Sequence, residues 1–376
     1  MKIIICFYAS NSYGSEYRSG YEFLKYADNK FFDLAIISDI EFNKKIDKDE
    51  FKNLKIKFVS QNAKDQNELY KKSDYKYCNQ WLASVKSELS KYNSIEILWI
   101  CNPAQIWHPI YGFLGLSNKL IWGPIGGGDS IVNVSSLKYL RKSFILREFL
   151  RSFCQYYFLS LLKIYLIIFF KKRKPIILSR SELSKKLVNR FLNIKAIFIS
   201  ERIAPLRKDT ILKKISGCPE FIWIGQDIPR KNLNLTKKIF REYLSKEYSF
   251  SKLTIIGTKC YEDNPKIIYK SWVKKVPYED FQNNGVLICS SLREGMPSVI
   301  IEALNNGLFV LTTNVGSINS LQHNESIYIF ESIDCTNENW EAIYKKINRH
   351  LQKKSINLKN PDFVKRLDNL FAKIEK

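Results

Sequence analysis

At 376 residues the chain is long for one domain and comfortable for two, its 45% hydrophobic content supports real cores, and no repeat of solenoid period runs through it. Lys+Arg 60 against Asp+Glu 37 leaves a net charge of +23, which calls for an acidic partner: nucleic acid, an anionic membrane surface or a phosphorylated substrate. The eight cysteines (Cys6, Cys78, Cys101, Cys154, Cys218, Cys260, Cys289, Cys335) form no C-x-x-C pair and have no histidine at ligand spacing, which argues against a zinc site or a disulfide framework and for buried thiols in a reducing, cytoplasmic compartment.

The opening "MKIIICFYAS" is too short for a signal peptide, lacks a cleavage pattern, and reads as a first strand. The next stretch, "YASNSYGSEYRSG", is a strand-to-helix turn. Gly14 and Ser15 open a helix whose apolar face is Tyr17, Tyr21, Leu24 and Ala27, and a glycine at such a turn lets backbone approach a phosphate. The full G-x-G-x-x-G spacing of a dinucleotide site is missing. Strand-like runs follow at "FDLAIIS", "IKFVS", "IEILWIC", "KLIWGP" and "PIILS". Between them, Asp47 and Asp49 match a D-x-D metal pattern but sit in a charged run that reads as a solvated loop. His108, His323 and His350 are too few and too scattered for a metal site, and no metal is expected. His108 in "IWHPI" is a candidate for the acceptor side, with Gly126, Gly127 and Gly128. Gly126, Gly127 and Gly128 in "IWGPIGGGDS" suit a functional loop, three adjacent glycines being costly in entropy.

From residue 137 to 174 ten basic residues face one acid, Glu148, around the nearly all-apolar "FCQYYFLSLLKIYLIIFF". AT-rich coding, visible in the abundance of Lys, Asn, Ile, Phe and Tyr, accounts for part of the overall charge but not for this clustering. Gln155, Ser160 and Lys163 interrupt the ~20 apolar residues that a spanning helix needs. An in-plane helix at a membrane surface fits best, a helix buried between domains fits nearly as well, and a transmembrane helix comes third.

The second half repeats the alternation with "FIWIGQ", "LTIIGT", "VLICSS", "LFVLTT" and "SIYIF". Alternating strands and helices predict parallel sheets covered on both faces, hence an α/β protein of two doubly wound domains with a boundary near residues 200–218. The stretch "WIGQDIPRKN" ends a strand at Gly225 and opens a helix near Asn232, placing Arg230 and Lys231 where a sheet-edge phosphate would lie. Next comes "SSLREGMPSVIIEALNNG", with Glu294 in a loop, Pro297 at the first helical position and Glu302 one to two turns inside the helix. The N–H groups of Met296, Pro297's successor Ser298 and Val299, with the helix dipole, favour an anion at the carboxyl end of a strand. Two carboxylates flanking such a turn suit a nucleotide sugar. The competing reading is a Ser291–Glu294 capping box with Glu302 an ordinary exposed helix residue. The tail "NPDFVKRLDNLFAKIEK" makes a last helix whose apolar face (Phe363, Leu367, Leu370, Phe371, Ile374) needs a surface to cover.

Taken together, "SSLREGMPSVIIEALNNGLFVLTTNVGS", "FIWIGQDIPRKN" upstream, "GSE" near the N-terminus and "WGPIGGG" in mid-chain resemble the retaining glycosyltransferases of family 4 (glycosyl transferases group 1), including their E-x7-E element. The resemblance is strong over 221–317, patchy over 1–130 and absent over 137–174. It implies the GT-B fold of two Rossmann-like domains facing across a cleft: an acceptor domain at 1–205, a donor domain at 206–358, and a helix at 359–376 crossing back onto the first. It implies that Glu294 contacts the donor sugar and Glu302 the ribose, and that Lys231 binds the diphosphate. Gln226 stands where the family has arginine, which Arg230 would replace, and Gly225, Gly295 and the helix start complete the donor site with Gly14 and Ser15. Gly316–Ser317 stands for the family's doubled glycine. The implied reaction is sugar transfer with retention, without an obligatory metal or other cofactor, to a lipid-linked saccharide at the inner face of the plasma membrane. Rival readings are a GT-B phosphorylase or epimerase, a non-catalytic homologue, and a nucleic-acid-binding protein. The last lacks the aromatic-interleaved basic stretches it needs.

Overall fold

The computed structural model describes residues 1–10, 15–30, 32–60, 74–102, 110–126, 142–169, 174–199, 209–211, 218–258, 262–271, 273, 276–281, 284–295, 297–332, 335, 337–352, 355–357 and 363–374. The chain divides into two units, one of Met1–Gly128, Arg151–Ala204 and Phe363–Lys376, the other of Asp129–Leu150 and Pro205–Asp362. Of Asp129–Leu150, the described residues are Lys142–Leu150.

The first unit holds strands β1 (Lys2–Cys6), β2 (Leu34–Ser38), β3 (Lys55–Val59), β4 (Ile97–Asn102), β5 (Lys119–Ile125), β6 (Ile176–Ser179) and β7 (Ile197–Phe198). They pair in the order β3-β2-β1-β4-β5-β6-β7, every pairing parallel. β2 and β4 are buried at every residue, as the continuous apolar runs of a doubly covered parallel sheet require, whereas the edge strand β3 keeps Lys55 and Lys57 in solvent. Helices α1 (Ser15–Asn29), α2 (Glu41–Lys44), α3 (Asp74–Leu89), α4 (Lys142–Phe169) and α5 (Glu182–Leu192) lie along this part of the chain. Ile197–Phe198 has no counterpart among the predicted strands, because two residues carry no readable period.

In the second unit β9 (Glu220–Ile224), β10 (Leu253–Ile256), β11 (Ile267–Lys270), β12 (Gly285–Cys289), β13 (Phe309–Thr313) and β14 (Ile327–Phe330) form a parallel sheet in the order β11-β10-β9-β12-β13-β14. Between β7 and β9 lies β8 (Asp209–Ile211), which pairs antiparallel with β15 (Ser355–Asn357). Helix α6 (Leu233–Ile239) follows β9, α7 (Ser298–Asn305) follows β12, and α8 (Trp340–Leu351) follows β14. Both main sheets have the doubly wound order in which the chain reverses direction at the first strand, so each has one switch point, between β1 and β4 and between β9 and β12. These are two Rossmann-like domains.

The last helix, α9 (Phe363–Ile374), packs on the first unit. Its Leu367, Leu370, Phe371 and Ile374 are buried in one cluster with Ile4, Phe23 and Trp99, the Phe371 and Trp99 rings lying 5.5 Å apart. Tyr26 donates a hydrogen bond of 2.9 Å to Asp368, which fixes the register of the helix on α1.

Helix α4 carries large apolar residues on more than one face but is covered on one side only. Leu159, Leu162 and Leu166 enter the core of the first unit. A second stripe at three- and four-residue steps, including Phe149, Phe153 and Ile168, stands 64%, 69% and 62% exposed. Among the described residues no helix is long and apolar enough to cross a membrane. Of the cysteines, five are buried, but Cys154 and Cys218 are exposed, which corrects the reading of them as buried thiols. Cys260 lies outside the described residues. Among those residues no cluster of His, Cys, Asp and Glu is arranged to hold a metal ion.

Candidate functional site

The switch point of the second sheet brings two loops together. One follows β9: Gly225 extends the ladder by donating to the Ile256 carbonyl at 3.0 Å, Gln226 is exposed, and Pro229–Lys231 make a single 3-10 turn. Asn232 then turns in the left-handed region at φ 49° before α6 begins. The other loop follows β12 and runs from Ser290 to Pro297.

Loop is tied to loop by backbone and hydroxyl contacts. The Leu292 amide donates to the Arg230 carbonyl at 2.7 Å. Buried Ser290 donates to the Asn232 carbonyl at 2.8 Å and shares a 2.7 Å hydrogen bond with Thr236 of α6. On the far side Thr313 donates to the Ser291 carbonyl at 2.5 Å, and the Ser317 amide to the Gly295 carbonyl at 2.8 Å. Gly316 sits at φ +59°, where a Cβ would overlap the carbonyl oxygens of Glu294 and Gly295. Only glycine allows this approach.

Into this frame project three charges. One carboxylate oxygen of Glu294, Oε1, lies 2.6 Å from Lys231 Nζ, 2.9 Å from Arg230 and 3.1 Å from the Ser291 hydroxyl that donates to it. The Glu294 side chain is 12% exposed, Lys231 18% and Arg230 35%, so Lys231 is the more enclosed of the two half-buried cations. Burial pushes the Glu294 carboxyl up, but Lys231 first and then Arg230 overcome it, and the net effect holds it below the usual carboxylate range. The result is a fixed negative charge with two cations gathered at the carboxyl end of a parallel sheet. A polyanion arriving there meets both cations.

Helix α7 begins at Ser298. Pro297, expected at the first helical position, instead precedes the helix with ψ 112°, and no described side chain caps the first turn. The terminal N–H groups and the positive end of the dipole are thus left to a ligand or water. Glu302, in the second turn, is half-buried and accepts a 3.3 Å hydrogen bond from the Tyr278 hydroxyl, so it is not an ordinary exposed residue. Nor do Ser291 and Glu294 form a capping box. Their side chains bond each other, four residues short of the helix.

Of the residues expected here from sequence, the structure brings together Arg230, Lys231 and Glu294, with Gly225, Gly295, Pro297, Ser298 and Val299 on the same two loops and helix start. Met296 lies outside the described residues, as do Gly14, Gly127, Gly128 and His108. Ser15 is the first residue of α1, and Gly126 makes a bridge just after β5. At the first unit's own switch point Asn102 grips the chain leaving β1, accepting from the Tyr8 amide at 2.8 Å and donating to the Tyr8 carbonyl at 2.9 Å. Sequence reasoning does not single out Ser290, Ser291, Thr313, Tyr278 or Asn102 as parts of a site. The pair of serines directly after an apolar strand is the only local signal for any of them.

Comparison with known proteins gives a family match for part of the chain and a fold match for nearly all of it. Residues 208–362 match the family model described as glycosyl transferases group 1, a span that contains every residue of the Glu294 cluster. No curated protein matches the chain in sequence. Solved structures share its fold across nearly their whole length. The apo form of the lipopolysaccharide outer core galactosyltransferase WaaB is 14% identical, with TM-score 0.56 over 99% of this chain and 100% of that one. A glycosyltransferase from Rickettsia africae ESF-5 is 13% identical, with TM-score 0.57 over 100% and 98%. The catalytic domain of starch synthase IV from Arabidopsis thaliana, bound to ADP and acarbose, is 11% identical, with TM-score 0.58 over 94% and 92%. At these identities the likeness establishes the GT-B fold.

Proposed function

We propose that the chain is a retaining glycosyltransferase of family 4 that moves a sugar from a nucleoside-diphosphate donor to a lipid-linked saccharide in cell-surface polysaccharide synthesis. The observation that carries this reading is the Glu294–Lys231–Arg230 cluster at the switch point of the second sheet, inside the segment that matches the glycosyl transferase model. The ADP bound by the starch synthase relative is a ligand of the class this reading requires.

In this reading the donor diphosphate displaces the internal carboxylate from Lys231 and Arg230 and takes the uncapped start of α7. Glu294, released, turns to the sugar, and Glu302, oriented by Tyr278, holds the ribose hydroxyls. The bond from the anomeric carbon to the β-phosphate oxygen breaks, and the acceptor oxygen bonds to that carbon on the same face, which preserves configuration. The acceptor's proton passes to the departing phosphate, so no side-chain base is needed. The charge that grows on the leaving group is met by Lys231 and the α7 N–H groups, held in place before the reaction begins. Lys231, Arg230 and the helix start already supply positive charge, and the reading assigns no metal or other cofactor.

Glu302→Ala is expected to weaken nucleoside-diphosphate binding, and Glu294→Ala to lower transfer while changing affinity for the bare nucleotide less. Thermal-shift screening of nucleotide sugars identifies the donor, after which calorimetry and turnover separate the two effects. Wild-type turnover in both variants would remove the site assignment. The exposed Gln226, where the family pattern has arginine, favours one second reading, a non-catalytic homologue. Tight donor binding with neither transfer nor donor hydrolysis would select it.

The exposed apolar stripe of α4 supports a cytoplasmic enzyme docked on the inner face of the plasma membrane. Around it the sequence from 137 to 174 carries ten basic residues, each contributing about 1 kcal/mol near an anionic surface before screening. Its one acid, Glu148, is turned inward and buried. Flotation is expected to recover the protein with anionic but not neutral liposomes, less so at high salt. Replacing Lys171, Lys172, Arg173 and Lys174 by Gln should weaken that recovery with the fold intact. Equal recovery from both liposome types would sink the electrostatic half of this reading.

A further inference from the structure

The acid that the basic segment withholds from solvent has a specific partner. Glu148, in the second turn of α4, is 5% exposed and contacts the guanidinium of Arg293, whose side chain is 13% exposed. Both residues belong to the second unit. Arg293 is the residue before Glu294, in the part of the loop whose backbone is clamped by Leu292 on one side and Gly295 on the other. Around Glu148 the helix exposes Leu146, Phe149 and Leu150, so the same turn carries one buried anion and an open apolar face.

We propose that Arg293 and Glu148 are positioning residues: their ion pair fastens the donor-site loop to the surface helix and thereby sets the place of Glu294. The physical case rests on cost and stiffness. An ion pair removed from water is retained only when each charge keeps its partner, and deleting either leaves the other buried and unpaired. The hydrogen bonds hold the loop at Ser291, Leu292 and Gly295, and the Arg293 side chain ties down the stretch between them, so releasing it loosens the peptide that carries Glu294. This inference rests on the transferase reading for its kinetic consequence, but its structural core does not.

The test uses the full chain and two readouts. In hydrogen exchange followed by mass spectrometry, Glu148→Gln is expected to lower protection of the segment 291–295 at least tenfold, with β9, β12 and β13 unchanged. In transfer assays the same variant is expected to lower kcat at least tenfold while the Kd for the nucleoside diphosphate stays within twofold. The charge-exchanged double variant Glu148→Arg with Arg293→Glu should restore part of both, and it answers the question even if Glu148→Gln fails to fold. Unchanged exchange in 291–295, or equal loss across both sheets, would overturn the proposal. A wild-type protein without transfer activity would count against the proposed function alone, because the exchange measurement still decides the pair.

Discussion

Replacing Lys231 by Ala is expected to lower affinity for a nucleoside diphosphate at least tenfold, and to cost more than Arg230→Ala. A hydrogen bond to a charged group is worth roughly 1.5–3 kcal/mol, and about 1.4 kcal/mol is tenfold in affinity. Lys231 is the better placed of the two cations, 18% exposed against 35% and 2.6 Å from the carboxylate against 2.9 Å. A phosphate that replaces the carboxylate inherits the same ranking. Equal, small losses at both positions in isothermal titration would reject it. The substitution has a second consequence, without any ligand. The Glu294 carboxyl titrates below its reference value of 4.5 because Lys231 and Arg230 outweigh its burial. A carboxyl lowered by folding contributes stability that is full above that reference value and is lost as pH falls through the native one. The stability difference between wild type and Lys231→Ala should therefore be largest near neutral pH and shrink as the medium is acidified below about pH 4.5. Urea unfolding at several pH values measures it, and a difference independent of pH would show that the pair contributes nothing through ionisation.

Gly316→Ala is expected to reduce transfer at least a hundredfold while costing only a few kcal/mol of stability. The left-handed backbone at φ +59° by itself costs a non-glycine residue of order 1–3 kcal/mol. The larger effect is steric: the new methyl group would overlap the carbonyl oxygens of Glu294 and Gly295, so one of the two loops must move. A shift of about 1 Å at a reacting group costs on the order of a hundredfold in rate. Gly307→Ala is the control. It too has positive φ, 81°, but lies beyond the far end of α7, where the strain costs stability without touching the site. Stability and kcat should fall together in Gly316→Ala, and stability alone in Gly307→Ala. Parallel losses of kcat in both variants would show that the site responds to general destabilisation rather than to the brace at Gly316.

Where sequence reasoning fails for this chain, the missing signal is a partner distant along it. Most strand-like runs of the second half are legible because a strand buried on both faces must be apolar throughout; of the two partly buried strands, Ile327–Phe330 is legible with an apolar residue at each end, while Ile267–Lys270, which ends in lysine, escapes. Pro297 falls one residue outside the helix it is expected to start, since proline is equally at home just before a helix. Lys231, Arg230, Glu294 and Glu302 stand out through loop and helix-start chemistry. Their supports do not, because no local pattern announces that Tyr278 serves Glu302, that Thr313 holds Ser291, or that Gly316 bears on Glu294.

By itself the sequence determined the alternation of buried strands and amphipathic helices, and with it two doubly wound sheets and the loops at their carboxyl ends. Those properties follow from side-chain period and turn chemistry within some ten neighbouring residues, the range over which backbone geometry is set. Tertiary structure alone decided which loops meet. Arg230 reaches Glu294 across 64 positions because β9 and β12 are neighbours in the sheet, and Arg293 reaches Glu148 across 145 because the second turn of α4 meets the loop that follows β12. It also decided which apolar stripe of α4 is left in solvent. A helix with large apolar residues on more than one face carries little internal preference, and only the core it packs against breaks that tie.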